Sequence, residues 1–468
     1  MRAVILGAGI AGLAVAHALR RDAARAGAAV DLTVLEAGDR PGGRVRTTRE
    51  DGWLIEWAAN AIQGAEGASW RIAEEAGLAG ERVIAREDSA RRYICRGGRL
   101  HMVPLTPGAF LRFGAISPAG RLRVALEPFF ARRVHRDESV HEYAARHIGE
   151  EAASALVGAA VRGIFAGDAR KLSVEAAFPV MREMERDHRS LVFAMFARAS
   201  AARKAGRKGP GVAAASGPGR RALWTLRGGL ESYVEALARP LGGALRFRTP
   251  ALAVERRAPS GYAVALASGA RLDADVVVLA TPPRATAALL RGLDPDAARG
   301  IGAISPAGLN VVAMGFRADA FKSPPDGYGF LVAPGEDLNV LGILFESNLF
   351  DGRAPDGHVL VRAMVGGAER PELVTKSDAE LVGLSMQALD RTVGVKCGPE
   401  RTWIIRQEDA IPQYAVGHRT ALAEIEQRLA ALPGLHLAGN GYRGVSLASL
   451  LEDGERVAAK VLGGEAAA

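Results

Sequence analysis

Residues 2–12 read Arg2-Ala3-Val4-Ile5-Leu6-Gly7-Ala8-Gly9-Ile10-Ala11-Gly12, an apolar run that breaks into glycines spaced Gly-x-Gly-x-x-Gly. The run predicts a buried strand over 2–6, and Ile10 to Arg21 predicts the helix that follows it. Gly7 permits a tight turn, Gly9 lets backbone approach a pyrophosphate, and Gly12 allows close helix–strand packing. The helix start then offers unpaired N–H groups and partial positive charge to phosphate. Val30 to Leu35 predicts a second strand, ending at Glu36. A carboxylate at that strand end accepts both ribose hydroxyls and repels a 2′-phosphate. The unit is β-α-β, and the fold class is α/β with a Rossmann-type sheet.

The continuation separates two classes of dinucleotide. Glu36-Ala37-Gly38-Asp39-Arg40-Pro41-Gly42-Gly43-Arg44 places a second glycine pair and an arginine directly after the ribose acid. That pair lets the chain run close beside the pyrophosphate a second time, which NAD enzymes do not need. Near the other end, Gly439-Asn440-Gly441-Tyr442-Arg443-Gly444-Val445-Ser446 closes a strand and opens a last helix. A helix start there stabilises negative charge on a reduced flavin ring. Together the three segments predict FAD. No cysteine stands beside a glycine turn at the flavin end, so the expected link is non-covalent.

Bulk properties exclude several classes. The chain has 468 residues, 49% hydrophobic and 24% charged, which is a folded multi-domain composition. Its two cysteines, Cys95 and Cys397, form no disulfide framework and have no metal-ligand spacing to a partner. No metal site is expected. The formal charge is +8, carried almost entirely by arginine. Zinc-finger spacing, a basic heptad region and RNP-like aromatics are all missing, so nucleic acid is not an expected partner. No apolar run is long enough for a membrane-spanning helix, and Ala3 to Leu19 has glycine spacing foreign to a signal peptide. A cytoplasmic location is expected.

Organisation along the chain is discontinuous. Residues 105–200 are helical in character and rich in Ala, Arg and Phe; 203–221 are a Gly/Pro/Ala/basic run of loop composition. Strand patterns return at 244–257, 262–267, 275–280, 308–316, 328–333, 338–346 and 358–366, and a final helix is expected from about 446 to 462. The expected division has three parts. A cofactor domain comprises 1–86, 222–290 and 398–468. A mixed-sheet substrate domain comprises 87–104, 197–221 and 291–397, and a helical insertion covers 105–196.

The glycine fingerprint, Glu36, Gly42-Gly43-Arg44 and the C-terminal turn resemble the amine oxidase and phytoene desaturase superfamily. Val161-Arg162-Gly163-Ile164-Phe165-Ala166-Gly167-Asp168, Leu226-Arg227-Gly228-Gly229-Leu230 and Gly327-Tyr328-Gly329-Phe330-Leu331-Val332 narrow the resemblance. With Val365-Gly366-Gly367 and Ala410-Ile411-Pro412-Gln413-Tyr414, they resemble the protoporphyrinogen oxidase family over essentially the full length. The resemblance implies six-electron oxidation of a porphyrinogen to a porphyrin, with dioxygen as acceptor and positioning rather than a dedicated general base. It implies a flavin-contacting set of Gly7, Ala8, Gly9, Ile10, Ala11, Gly12, Glu36, Ala37, Gly42, Gly43, Arg44, Ala58, Ala59, Asn60, Ala61, Ala251, Asn440, Val445, Ser446 and Leu447.

On the substrate side, the resemblance matches Arg92 to an arginine that holds a propionate, Leu331 and Met364 to apolar walls of the macrocycle, and Gly163 to a close backbone approach. One departure stands out: Glu56-Trp57-Ala58-Ala59-Asn60 replaces the family's usual Gly-Pro after the acid. His418 has no neighbour in sequence to form a dyad, so a structural role is expected. Pro104–Arg136 interleaves Phe110, Phe113, Phe129 and Phe130 with six arginines, a composition suited to an anionic membrane surface. Protoporphyrinogen IX is the leading substrate expectation, coproporphyrinogen III the second. An amine or carotenoid substrate is a third reading, with Trp57 and Tyr442 as its only aromatic pair. A porphyrin-binding flavoprotein without turnover is the reading of another class. A homodimer is the assembly these readings allow.

Overall fold

The computed structural model describes residues 1–64, 67–194, 197, 200 and 223–463. The run at 203–221 lies outside the described residues. Five parallel strands form one sheet, in the order Leu245–Arg246, Asp31–Leu35, Arg2–Leu6, Val276–Leu279 and Leu435–Leu437. The central strands are buried on both faces, which is why they read as unbroken apolar runs. The helices Ile10–Arg25, Glu231–Ala238 and Leu447–Val461 cover one face through Leu13, Leu19, Tyr233, Leu237 and Leu451. A three-stranded antiparallel meander, Ala251–Arg256, Tyr262–Leu266 and Arg271–Ala274, covers the other with three helices.

The second large sheet has seven strands. Their order is Arg401–Pro412, Pro306–Arg317, His358–Gly366, Gly342–Phe345, Gly329–Val332, Arg92–Arg96 and Arg99–Met102. All neighbours are antiparallel except Gly329–Val332 with Arg92–Arg96. One face packs Phe316, Phe330, Ile343, Phe345 and Val361 against the helix Asp378–Thr392. The opposite face is the subject below. A helical part follows between, with its own core of Val140, Tyr143, Val161, Phe165 and Met184.

Several boundaries differ from the sequence expectations. The first helix runs to Arg25 because nothing from Asp22 to Arg25 breaks it and Gly27 ends it. The pattern at 244–257 splits in two: Leu245–Arg246 joins the parallel sheet, and Ala251–Arg256 opens the meander. Arg248 at φ 51° and Pro250 make that corner. Arg401–Pro412, expected on the cofactor side, pairs along Pro306–Arg317 as the edge of the seven-stranded sheet. The helix Pro295–Gly302, expected on the substrate side, buries Ala297 and Ile301 beside Leu289 and Ile425 in the core beneath the meander. Among the described residues no helix is long and apolar enough to cross a membrane.

A glycine cradle and a two-arginine sheet face

The cradle at the first strand end is built from backbone. Gly7 has φ 99°, and a Cβ at Gly12 would lie 2.0 Å from the Gly7 carbonyl oxygen, so no side chain fits there. A Cβ at Gly9 would meet nothing within 4 Å, which leaves open space over the helix start. Gly9 carries no side-chain cap, and the N–H groups of Ile10, Ala11 and Gly12 point out of the helix start. Ala8, Ile10 and Ala11 turn their side chains into the core. What they offer a ligand is backbone.

Glu36 stands beside this cradle. Its carboxylate accepts hydrogen bonds from Ala8 N (2.9 Å) and Gly38 N (2.9 Å), which fix both oxygens while leaving lone pairs free. The second glycine pair comes back to the first: Gly42 N donates to Ala8 O (2.8 Å), and a Cβ at Gly43 would stand 3.5 Å from Gly9 Cα. Arg248 N donates to Gly38 O and Thr249 N to Glu36 O, bringing Ala251 and the meander alongside Ala37. Arg44 has no hydrogen bond or ion pair among the described residues, and burial pushes its guanidinium down.

The C-terminal turn is clamped by Tyr414. Its hydroxyl donates to Asn440 O (2.5 Å) and accepts from Gly444 N (2.8 Å), and burial keeps the phenol protonated by pushing it well up. Ser446 caps the last helix through Ser449 N (3.1 Å); Val445 and Ser446 stay accessible, while Leu447 is core. His418 stacks on Tyr414 at 4.3 Å and meets Tyr442 O at 3.3 Å, contacts that tie it to the same turn. The open cradle, the buttressed acid and the clamped turn together fit a flavin dinucleotide.

Opposite lies the other face of the seven-stranded sheet, where residues paired across strands share a face. Arg92, Gly329, Leu344 and Arg362 make one row, and Ile94, Leu331, Gly342 and Met364 the next. The structure thus brings Arg92, Leu331 and Met364 onto one surface, and the helix Gly158–Phe165 roofs it. A Cβ at Gly163 would sit 2.6 Å from Leu331 Cδ2. Leu331 and Met364 join Ala166, Leu309, Leu341 and Ala410 in one apolar cluster.

The two neighbouring arginines are treated differently. Arg91 and Tyr93 both hold Asp326, at 2.6 Å each. Arg92 is exposed, makes no ion pair among the described residues, and lies 4.6 Å over the Tyr328 ring. A stacked guanidinium keeps its in-plane N–H groups available to a carboxylate.

Residues 57–61 cover the other end of the same face. Arg362 Nη2 donates to Ala58 O (2.6 Å), Gln407 Nε2 to Trp57 O (2.6 Å), and Asn60 Nδ2 to Glu346 Oε1 (3.3 Å). Neither Ala58 nor Ala59 is among the residues with positive φ, so the replacement of Gly-Pro strains nothing. Tyr328 lies inside one of the motifs but has no role assigned there, and Glu346 and Arg362 lie outside the motifs. The only signal for Arg362 is a lone charge inside His358-Val359-Leu360-Val361-Arg362-Ala363-Met364-Val365. The aromatic pair expected for an amine substrate does not form. Tyr442 is buried under the meander, whereas Trp57 lies under Arg46 at 4.1 Å and donates to Thr48.

The chain is similar to known proteins over nearly its full length. The family described as flavin containing amine oxidoreductase matches residues 10–462. The chain is 32% identical to human protoporphyrinogen oxidase, covering 99% of this chain and 98% of that one. It is 31% identical to the coproporphyrinogen III oxidase of Propionibacterium freudenreichii, covering 98% and 90%. A crystal structure from Exiguobacterium sp. 255-15, named there only as a candidate protoporphyrinogen oxidase, superposes with a TM-score of 0.82 at 27% identity over 98% of each chain. With that match running through cradle, sheet and C-terminal turn alike, this protein is a member of the flavin containing amine oxidoreductases.

Proposed function

We propose that this chain oxidises protoporphyrinogen IX to protoporphyrin IX. The observation that carries the reading is the pair of rows on the sheet face: a stacked Arg92 with no ion pair among the described residues at one end, and an apolar wall of Ile94, Leu331 and Met364 beside it. A macrocycle with its carboxylates on one edge matches that division. Arg92 holds a propionate through two parallel hydrogen bonds. Leu331 and Met364 pack the pyrrole rings, and Gly163 leaves room for them. The helix Gly158–Phe165 excludes water from above. When bound, FAD would supply a two-electron hydride acceptor that dioxygen can reoxidise, so three such oxidations would account for one porphyrin. Gly7 to Gly12, Gly42 to Arg44 and Glu36 would hold its dinucleotide end without a covalent link, and Ala58 to Ala61 with Asn440, Val445, Ser446 and Leu447 would border its ring.

Coproporphyrinogen III is the second reading, supported by the Propionibacterium relative. Its two further carboxylates need cations at the far rim. The described residues there, Leu309, Leu341 and Ala410, are apolar, and Arg162 on the roofing helix is already paired with Glu369. Turnover of the purified protein with each porphyrinogen, following porphyrin fluorescence and peroxide together, tests the choice. Faster protoporphyrin formation is expected. Preference for the tetra-carboxylate moves the assignment to the second reading, and no porphyrin from either sinks both.

The helical part carries the contact with membranes in this reading. Leu122 and Phe129 are 60% and 80% exposed beside exposed Arg132 and Arg133. Phe113, by contrast, is core, so only part of the aromatic run faces outward. Co-sedimentation with anionic vesicles at low salt is expected, and its loss in Phe129→Glu.

A further inference from the structure

Four side chains hold the segment Trp57–Asn60: Gln407 and Arg362 on strands of the seven-stranded sheet, and Glu346 and Arg353 in the connection between its strands Gly342–Phe345 and His358–Gly366. Gln407 and Arg362 donate to Trp57 O and Ala58 O, Glu346 accepts from Asn60 Nδ2, and Arg353 Nη2 reaches Asn60 O at 3.5 Å. Arg353 is well satisfied in its own pair, donating to Glu56 Oε1 (3.1 Å) and Thr225 Oγ1 (2.8 Å). The Arg362–Glu346 pair is not. It is long at 3.4 Å, both residues are at most 5% exposed, and Arg362 Nε and Glu346 Oε2 have no hydrogen-bond partner among the described residues.

A buried charge pair with orphaned atoms is costly, and a neutral amide makes the same kind of tie one residue earlier at Gln407. Stability therefore does not account for an arginine at 362. Geometry does. Arg362 stands two residues from Met364 on one strand and one face. A single rigid strand thus carries both the apolar wall and the tie to the Ala58–Ala61 segment, and Glu346 orients the guanidinium fork by holding Nη1 while Nη2 reaches Ala58 O.

We infer that Arg362, oriented by Glu346, is a positioning residue that sets the separation between substrate and flavin by pinning Ala58 to the strand that carries Met364. The inference rests on the functional reading above, and it changes what the sequence implied. Positioning in this chain is assigned to a specific buried ion pair rather than to the cavity walls alone.

The test uses FAD-loaded protein with Arg362→Gln, Arg362→Lys and Glu346→Gln. Arg362→Gln is expected to keep its FAD and to show a shifted visible flavin spectrum without any substrate. Its anaerobic rate of flavin reduction by porphyrinogen should fall about 10- to 100-fold while KM moves less than about threefold, the signature of misplacement rather than lost binding. Arg362→Lys should recover part of the rate, because an ammonium reaches Ala58 O but cannot fork to Glu346. If Arg362→Gln does not fold, Glu346→Gln, which preserves volume and the Asn60 contact, should show the same spectral shift and a smaller rate loss.

An unaltered spectrum and rate in the folded variants overturns the inference, as does a rate loss that follows FAD content or appears in KM alone. If the wild-type chain turns over neither porphyrinogen, the functional reading falls. The substrate-free spectrum of Arg362→Gln then decides the pin by itself.

Discussion

Gly12 and Gly163 both let a helix close on its neighbour, yet the atoms that a Cβ would strike at the two positions differ in kind. At Gly12 the obstacle is the Gly7 carbonyl oxygen at 2.0 Å, and at Gly163 it is the Leu331 Cδ2 methyl at 2.6 Å. Backbone in a tight turn cannot yield, whereas a leucine can change rotamer. The contrast extends to the two regions. The cofactor cradle is made of main chain from neighbouring residues. The sheet face is made of side chains from strands far apart in sequence, from Arg92–Arg96 to His358–Gly366.

The largest expected effect is at the cradle. Gly12→Val should purify without flavin, read as the ratio of flavin to protein absorbance, because the helix start can no longer lie against Gly7. Retention of normal flavin by this variant would break the comparison at its stronger end.

Acid should also act first on the parallel sheet. His436 lies on the strand Leu435–Leu437, where burial foremost, then Lys460 and Arg456, push its imidazole down to about 4. In the unfolded chain the value is about 6.5. Between these values the unfolded chain binds the extra proton, so stability is complete above about pH 6.5 and drains away as pH falls toward 4. The loss reaches roughly 3 kcal/mol at most. His436→Gln should flatten that slope in denaturation midpoints taken at neutral and acid pH. An unchanged slope would place the acid-sensitive group elsewhere.

Arg92→Ala comes next. Removing one charge-assisted carboxylate contact should raise KM for porphyrinogen about 10- to 100-fold with flavin content and kcat nearly unchanged, and Arg92→Lys should fall between. A fall in kcat at constant KM would instead move Arg92 to the flavin side of the comparison.

These two regions differ in how far they can be read from sequence, for the same physical reason. The cradle is legible because its demands are on backbone conformation and space, which only glycine meets, and because turn, helix start and Glu36 follow each other within the first strand, helix and second strand. The seven-stranded sheet is legible as strands by alternation, but its register is not written locally. Nothing near Arg362 in sequence announces that Ala58 lies above it, since the two are joined only by folding. The resemblance placed Arg92, Leu331, Met364 and Gly163 singly. That Arg92 lies over Tyr328 while Arg91 is consumed by Asp326 required the sheet to be assembled. The pairing of Arg401–Pro412 with Pro306–Arg317 is hard to read from sequence for a related reason. An edge strand with charges at Arg401, Arg406 and Glu408 lacks the apolar run that marks a central one.

The smallest effect is the one that sharpens the comparison most. Gly163→Ala places a methyl against Leu331, and relief requires that leucine to leave its rotamer, at about 1 kcal/mol. If Leu331 turns away from the macrocycle to make room, KM should rise about fivefold, since 1 kcal/mol corresponds to that factor, with flavin content unchanged. Leu331→Ala in the same chain removes the obstacle, so the double variant should bind substrate no worse than Leu331→Ala alone. That non-additivity identifies the side-chain contact as the whole of the Gly163 effect. Additive losses would mean that the methyl meets the substrate itself. Gly163 would then be a wall of the site in its own right, as the family resemblance implies, and the roof of the cavity would be backbone after all, like the cradle.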